Sequence, residues 1–282
     1  MVESYAYDGN GNRISETNTF KGITDMPYTY SIEDHLLTAG TDTYQFDLDG
    51  FLTQKTTSAG TTTYKYSSRE ELLEVVLPDG TVISYDYDPM GRRIAKRING
   101  TIVEKYLWSD RIKLLAVFDG NDNLIMRFNY ADDRVPYSMD FGGQTYYLLY
   151  DQIGSLRAIV DSSGLIVKRI DYDSFGDVIL DTDPSFKIPI GFAGGLYDPD
   201  TGFVRFGVRD YDPAIGRWTA KDPIDFAGGS VNLFEYVQSD PINLFDPLGL
   251  FEVYPSFGDT WFNYSKYGAN WSEFQREMWS LY

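Results

Sequence analysis

The chain has 282 residues, a formal net charge of −18 and no cysteine. This charge argues against binding to nucleic-acid phosphates or anionic lipid, and the lack of cysteine excludes disulfides, thiolate metal sites and cysteine nucleophiles. The single histidine, His35, is interpreted as a surface residue of a turn, so neither a cofactor nor a metal centre is expected. No apolar run reaches the ~20 residues of a membrane span.

An aromatic pair separated by one residue recurs along the first two thirds of the chain. Alternate residues of a strand point to one face, so each pair predicts a strand with two aromatic side chains on the same side. Most intervals are 20 to 22 residues: the second aromatic of a pair lies at Tyr7, Tyr30, Phe46, Tyr66, Tyr87, Trp108 and Tyr130, and Tyr150 and Tyr172, each followed by an aspartate, continue the series.

The residues after each pair predict turns. In Tyr87-Asp88 the aspartate can accept hydrogen bonds from turn amides, and Gly91 supplies a positive φ. Asn99-Gly100 predicts a type I′ hairpin turn. One hairpin cannot bury its aromatic face, but stacked hairpins can. The sequence therefore predicts an all-β fold in which antiparallel β-hairpins stack into a curved sheet or partial shell over residues 1–188. The aromatics are interpreted as packing between hairpins.

The pattern changes at Pro189. Residues 189–250 combine short hairpin patterns with Asp-Pro turns and predict an irregular β core that plugs or closes the shell. This region ends in the segment PINLFDPLGL, residues 241–250, with Pro241, Pro247 and Gly249 at its fixed positions. Gly249 is expected to let the backbone approach nearby carboxyl groups closely.

The repeats and the segment Pro-x-x-x-x-Asp-Pro-x-Gly-Leu resemble the YD repeats and the repeat-associated core of RHS (rearrangement hotspot) proteins, toxin-complex C subunits and teneurins. The resemblance covers about residues 1–250. It implies a shell that encloses a C-terminal effector and cuts its own chain after Leu250, which leaves Phe251 as a new N-terminus.

The same resemblance assigns the cut to two aspartates, one from Gly-Arg-x-x-x-x-Asp-Pro and one from Asp-Pro-x-Gly-Leu. The matching residues are Asp222 and Asp246. Such a pair needs two carboxyl groups that share one proton, so that one is an acid while the other is a base. Arg217 is expected to orient Asp222 or balance its charge. The alternative for both aspartates is turn capping before proline, which is the interpretation for Asp88, Asp183, Asp198, Asp212 and Asp240.

Residues 251–282 form a short tail. Asn270 and Glu273 have the spacing of a capping box, and Trp271, Phe274, Met278 and Leu281 share one helical face, so a C-terminal helix is predicted. By the resemblance, this tail is a truncated effector or a plug. The implied partners are this effector segment, N-terminal repeats outside the chain, a shell partner subunit or an immunity protein.

The resemblance to polymorphic toxins implies a bacterial protein that a specialised secretion system exports or places on the cell surface. The N-terminus lacks a signal-peptide core, and we interpret the chain as a piece of a longer protein. Two other functions stay open: a YD-repeat module that is not cleaved, and an adhesion or glycan-binding module, which predicts exposed aromatics. Calcium binding at residues 119–123 is a weaker alternative, because that spacing also describes an ordinary turn.

Overall fold

The computed structural model describes residues 2–131 and 133–253. These residues are almost entirely β, which confirms the predicted fold class. Strands that follow one another in the chain pair antiparallel into an 18-stranded sheet. The sheet does not close into a barrel, because its first strand, β1, pairs with β2 and its last, β18, pairs with β17.

The sheet is built from hairpins of short strands. The first nine strands are β1 Glu3–Tyr7, β2 Arg13–Asn18, β3 Ile23–Tyr30, β4 Leu36–Ala39, β5 Asp42–Phe46, β6 Leu52–Thr57, β7 Gly60–Tyr66, β8 Leu72–Val76 and β9 Val82–Tyr87. The next nine are β10 Arg93–Ile98, β11 Thr101–Trp108, β12 Leu114–Phe118, β13 Leu124–Asn129, β14 Ser138–Phe141, β15 Gln144–Tyr150, β16 Leu156–Val160, β17 Ile166–Tyr172 and β18 Val178–Asp181.

The predicted turn chemistry is present. The Oδ1 atom of Asp88 accepts hydrogen bonds from the amides of Met90, at 2.9 Å, and Arg92, at 3.0 Å, while Gly91 has φ +76°. Where the aspartate is replaced, the turn persists: the hydroxyl of Ser67 accepts from two turn amides in the same way. A short polar side chain therefore suffices to hold the turn.

The two aromatics of each pair have different roles. The first is buried in the core, as at Tyr28, Tyr44, Tyr64, Tyr85, Tyr106 and Phe128. The second is half-buried and often donates a hydrogen bond to a carbonyl of the preceding hairpin: Tyr30 to Arg13 at 2.9 Å, Tyr87 to Leu72 at 2.8 Å, Trp108 to Arg93 at 2.7 Å and Tyr130 to Leu114 at 2.9 Å. The interpretation of these aromatics as packing between hairpins is confirmed.

A second, smaller sheet follows the repeats. Its four antiparallel strands are β19 Leu196–Tyr197, β20 Val204–Phe206, β21 Arg209–Asp212 and β22 Arg217–Trp218. Single 3₁₀ turns lie at Phe192–Gly194, Asp225–Gly228 and Val237–Ser239. Tyr211 and Tyr236, whose ring centroids are 4.4 Å apart, lie at the centre of an aromatic cluster that fixes this core.

Buried ion pairs join this core to the repeat sheet. Lys96 of β10 lies 2.6 Å from Asp198, Arg93 lies 2.9 Å from Asp210, and Lys55 of β6 lies 2.9 Å from Asp212. Burial has the largest single effect on the pKa of Asp198 and raises it, but Lys96, the Tyr85 hydroxyl and Arg93 together hold this pKa below its ordinary value. Asp198 and Asp212 do cap their turns, since they accept the amides of Asp200 and Ala214, but the interpretation that they do only this is wrong.

Two further expectations are resolved differently. His35 is half-buried rather than a surface residue: its ring stacks on Phe46 at 4.9 Å and meets the edge of Phe234 at 5.3 Å. The predicted C-terminal helix lies outside the described residues. Within residues 2–131 and 133–253, no helix has the length and apolar character of a membrane span.

Lys96→Met should lower the free energy of unfolding by about 3–5 kcal/mol, because it leaves the Asp198 carboxylate buried without its cation. Urea denaturation measures the loss, and Lys96→Met/Asp198→Asn should recover part of it. Arg97→Ala is the matched control, since Arg97 pairs with the partly exposed Asp86 and solvent screening should leave this pair with little effect on stability. Equal losses for the two single variants would contradict the role given to Lys96.

Candidate functional site

Asp222 and Asp246 both lie in tight turns of the core. Asp222 follows β22, is 7% exposed, and accepts the Ile224 amide at 3.0 Å through Oδ1. Asp246 is 3% exposed, and its Oδ1 accepts the amides of Leu248 at 3.2 Å and Gly249 at 2.8 Å. Each carboxylate thus caps its turn with one oxygen, which leaves Oδ2 for another partner.

That partner is Arg209, at the start of β21. Its Nη2 atom lies 2.9 Å from Oδ2 of Asp222 and 3.6 Å from Oδ2 of Asp246. Its Nε donates to the carbonyl of Gly249 at 2.6 Å, and its guanidinium lies 4.1 Å from the centroid of the Trp218 ring. One buried guanidinium therefore brings the two predicted aspartates together and fixes the segment that carries Leu250.

Arg217 does not have its predicted role. Its guanidinium donates to the side chains of Asn12, at 2.9 Å, and Asn232, at 3.3 Å, and to the carbonyl of Asp34. It ties the core to the first hairpins, while Arg209 is the cation at Asp222. Spacing along the chain favoured Arg217 because it lies five residues before Asp222, whereas Arg209 reaches the site across the pairing of β21 with β22.

The peptide after Leu250 lies beside Asp222. Leu250 is 2% exposed, and its carbonyl oxygen lies 3.0 Å from the point that a Cβ on Gly228 would occupy. Oδ2 of Asp222 lies 2.6 Å from that same point. The carboxylate and the carbonyl therefore face one small space, which only a glycine at position 228 leaves open.

The chain folds back on itself around this peptide. The amide of Phe245 donates to the carbonyl of Val253 at 3.1 Å, and the reverse bond is 2.8 Å long. A narrow cleft is lined by both aspartates, by Leu250 and by the half-buried Phe251. The predicted cleavage residues and the predicted catalytic residues thus meet in one place.

Gly249 has φ +68°, and a Cβ there would stand 2.6 Å from the carbonyl oxygen of Phe206 and 3.0 Å from the amide nitrogen of Arg209. The glycine therefore allows a close approach to the turn between β20 and β21, while its own amide lies 2.8 Å from the Asp246 carboxylate. Pro241 and Pro247 are buried on either side of Asp246 along the chain. These residues shape the loop and place no titratable group at the cleft.

The electrostatics of the pair favour a bound proton. Burial raises the pKa of Asp246 to about 7, although the Arg209 cation and two backbone amides act in the opposite direction. Burial also raises the pKa of Asp222, again against the effect of Arg209. Burial in turn lowers the pKa of Arg209, against the attraction of both aspartates. One guanidinium cannot fully compensate two buried carboxylates, so the pair titrates as a unit.

The alternative calcium segment is an ordinary hairpin turn. Oδ1 of Asp119 accepts the amides of Asn121 at 2.8 Å and Asn123 at 2.9 Å, and Asp122 pairs with Lys105 at 2.6 Å. In the part of the chain that the structure describes, no group of three His, Cys, Asp or Glu side chains is arranged to hold a metal ion.

Tandem hairpins with turn-capping aspartates, followed by a compact core that ends in Asp-Pro-Leu-Gly-Leu, define a YD-repeat shell protein. The teneurin YD-shell family model matches residues 1–252, and the chain belongs to this family. It is 31% identical over 258 residues to Teneurin-3 of Danio rerio and 33% identical over 225 residues to Teneurin-4 of Homo sapiens. These matches cover 86% and 77% of the chain but only 9% and 8% of the teneurins.

Solved structures share the same fold. The chain is similar to the crystal structure of TcdB2-TccC3-Cdc42, with a TM-score of 0.55 and 21% identity, and to that of TcdB2-TccC3-TEV, with a TM-score of 0.51 and 22% identity. Each similarity covers 88% of this chain and 17% of the solved chain. The chain is thus similar to a short stretch of much longer shells.

Asp246→Asn should flatten the dependence of stability on pH. Because burial raises the pKa of Asp246 from 3.8 to about 7, the folded chain binds this proton more tightly than the unfolded chain. The resulting stabilisation is complete below about pH 4 and is lost as the pH rises through about 7. The melting temperatures at about pH 5 and about pH 8 measure this stabilisation. The samples are chains whose intact mass shows that the bond between residues 250 and 251 is uncut.

The variant should therefore gain stability over the parent chain at the higher pH. The control is Asp183→Asn, since a hydrogen bond from the Ser185 hydroxyl lowers the pKa of Asp183 and this residue should give no such gain. An Asp246→Asn chain that loses stability equally at both pH values would show that the carboxyl is ionised throughout.

Proposed function

We propose that the chain is the C-terminal part of a YD shell that carries the segment after residue 250 and releases it by cutting the Leu250–Phe251 peptide bond. The supporting observation is the geometry at Gly228, where the Leu250 carbonyl oxygen and the Asp222 carboxylate border the same space. Asp246 joins them through Arg209. No cofactor takes part in the proposed reaction.

The proposed reaction is a hydrolysis by two carboxyl groups. The ionised member of the Asp222–Asp246 pair takes a proton from a water molecule, whose oxygen attacks the carbonyl carbon of Leu250. The protonated member gives its proton to the reacting peptide, and the bond to the nitrogen of Phe251 breaks. The products are a carboxyl group on Leu250 and an amine on Phe251. Each chain reacts once, in its own shell.

Arg209 has two roles in this proposal. Its single positive charge beside two carboxylates leaves the pair able to hold one proton near neutral pH, which the raised pKa of Asp246 supports. Its bond to the Gly249 carbonyl also fixes the backbone one residue before the proposed cut. A pre-positioned carbonyl lowers the entropic part of the barrier.

The cargo, partners and location are part of the proposal. The similar crystal structures both contain TcdB2 and TccC3, in one case with Cdc42, and another similar structure is that of the Photorhabdus luminescens Tc holotoxin pore. By analogy, this chain would assemble with further repeats or a partner subunit, enclose residues 251–282 or a longer effector, and act outside the producing cell as a toxin component. The teneurin relatives named above are animal proteins, so a bacterial origin also belongs to the proposal.

A YD-shell module that keeps its chain intact is the second candidate. It is favoured by the burial of Leu250, which is 2% exposed, and by the closed Phe245–Val253 bridge around the peptide. An adhesion or glycan-binding module fits less well, because the first aromatics of the repeats are buried and offer no stacking surface to a sugar.

Intact mass after purification near neutral pH distinguishes the first two candidates. We expect one product that ends at Leu250 and a second that starts at Phe251. Asp222→Asn and Asp246→Asn should each reduce the cleavage rate by at least about 10²-fold, because either change removes one member of the acid–base pair. Asp183→Asn, in an exposed Asp-Pro pair, should cleave like the parent chain.

A cut between Asp246 and Pro247 would instead indicate chemical scission of an Asp-Pro bond. A parent chain that stays whole would favour the uncleaved module, and cleavage that persists in Asp222→Asn would contradict the proposed pair.

A further inference from the structure

Many hairpin turns of the repeat sheet place a glycine in the left-handed region, but the turn between β7 and β8 places Glu70 there, with φ +66°. Its amide donates to the carbonyl of Ser67. Asp34 and Asp122 have the same conformation in two other turns. The same hydrogen bond is made in equivalent turns by glycines with positive φ, at Gly11, Gly50, Gly91, Gly154 and Gly176. A residue with a side chain is strained in this conformation. Strain of this kind clusters at functional sites.

The Glu70 side chain lies next to the candidate site. Glu70 lines a cavity together with Pro223, which follows Asp222, and Leu250, which precedes the proposed cut. Its Oε2 atom is buried, and no described residue donates a hydrogen bond to it. When Glu70 is ionised, the negative charge on this oxygen is therefore stabilised by nearby charges and not by a hydrogen bond.

Charges of both signs surround this carboxylate. The β7–β8 turn itself contributes Arg69, which lies 2.6 Å from Glu71. Arg205, on the cavity wall with Arg111, lies 2.7 Å from Asp210. The core contributes Arg209, Lys221, Asp222 and Asp225. Burial raises the pKa of Glu70 to about 7; Arg209 and Lys221 oppose this, while Asp222 and Asp225 add to it.

We propose that Glu70 is a positioning residue of the cleavage site, a third carboxylate that acts through Asp222 and Arg209 to keep a proton on the aspartate pair. Its negative charge repels the anionic form of Asp222 and competes with Asp222 for Arg209. Both effects favour the singly protonated pair, the state that the proposed hydrolysis requires. Glu70 touches neither the peptide nor water in this scheme.

This role rests on the proposed function and requires that the core contacts the β7–β8 turn of the repeat sheet before cleavage. Asp222 and Asp246 belong to the core, whereas Glu70 belongs to the repeat sheet, more than 150 residues earlier in the chain. The proton is therefore held in place only when the core is seated against the β7–β8 turn. Cleavage near neutral pH would report that the shell and its core have assembled.

The test is the pH profile of the cleavage rate for the full chain and for Glu70→Gln, followed by intact mass between about pH 4 and about pH 9. Loss of the Glu70 charge should make the aspartate pair release its proton more easily. The alkaline limb of the profile should therefore move to lower pH by about half a unit, with little change in the rate at the optimum. A role in folding alone would lower the rate at every pH and leave the limb in place.

The matched control is Asp122→Asn. Asp122 has the same φ, +66°, and the same turn hydrogen bond, but its carboxylate is solvent-exposed and pairs with Lys105. It should leave the profile unchanged. Glu70→Gly is a second variant that removes both the charge and the backbone strain. It should shift the limb as Glu70→Gln does, while its melting temperature stays equal to or above that of the parent chain.

A parent chain that cleaves, with identical profiles for the parent and both Glu70 variants, would overturn this inference and leave the proposed function intact. A parent chain that stays whole at every pH would overturn both. The melting temperature then shows separately whether Glu70 interacts with the buried charges. Because the raised pKa makes ionised Glu70 destabilising above about pH 7, Glu70→Gln should gain stability over the parent chain at about pH 8 and not at about pH 5.

Discussion

The structure depends on the compensation of buried charge between the core and the repeat sheet. The chain has 42 acidic and 24 basic side chains, so cations are scarce. Several of them lie at the boundary between the two sheets, where Lys55, Arg93 and Lys96 meet aspartates of the core. A buried carboxylate without a cation costs several kcal/mol. The core can therefore be buried only in the one position that pairs its aspartates.

The candidate site is the place where this compensation is incomplete. Among the residues that the structure describes, Arg209 is the single cation in ion pairs with Asp222 and Asp246, whereas Asp210 pairs with the two arginines Arg93 and Arg205. An excess of carboxylates in a buried space raises their pKa values and retains a proton near neutral pH. The same physical rule thus gives two outcomes: balanced charges bind the core to the shell, and unbalanced charges raise the pKa values of Asp222 and Asp246.

The repeat sheet and the core have different mechanical roles. Most hairpins share the same contacts: a buried aromatic, a capped turn and a hydrogen bond to the preceding hairpin. The sheet is therefore stabilised by contacts within each hairpin and between neighbouring hairpins. The core is irregular, and glycines at positions 228 and 249 let its backbone pass close to side chains and carbonyls that a Cβ would displace. The regular repeats form a sheet of similar hairpins, and the irregular core fixes the buried segment that ends at Leu250.

The sequence by itself determined the elements that depend on local spacing. The aromatic pairs indicate strands, because side chains alternate between the two faces of a strand. The turn aspartates and Asn99-Gly100 indicate turns with positive φ. Both kinds of feature depend on only a few neighbouring residues. The resemblance to RHS and YD-repeat proteins singled out Asp222, Asp246 and Leu250. Only the tertiary structure decided which cation forms ion pairs with these two aspartates. Arg209, not Arg217, reaches both aspartates, and Glu70 arrives from a distant hairpin, because side chains that meet across sheets leave no signal in their spacing along the chain.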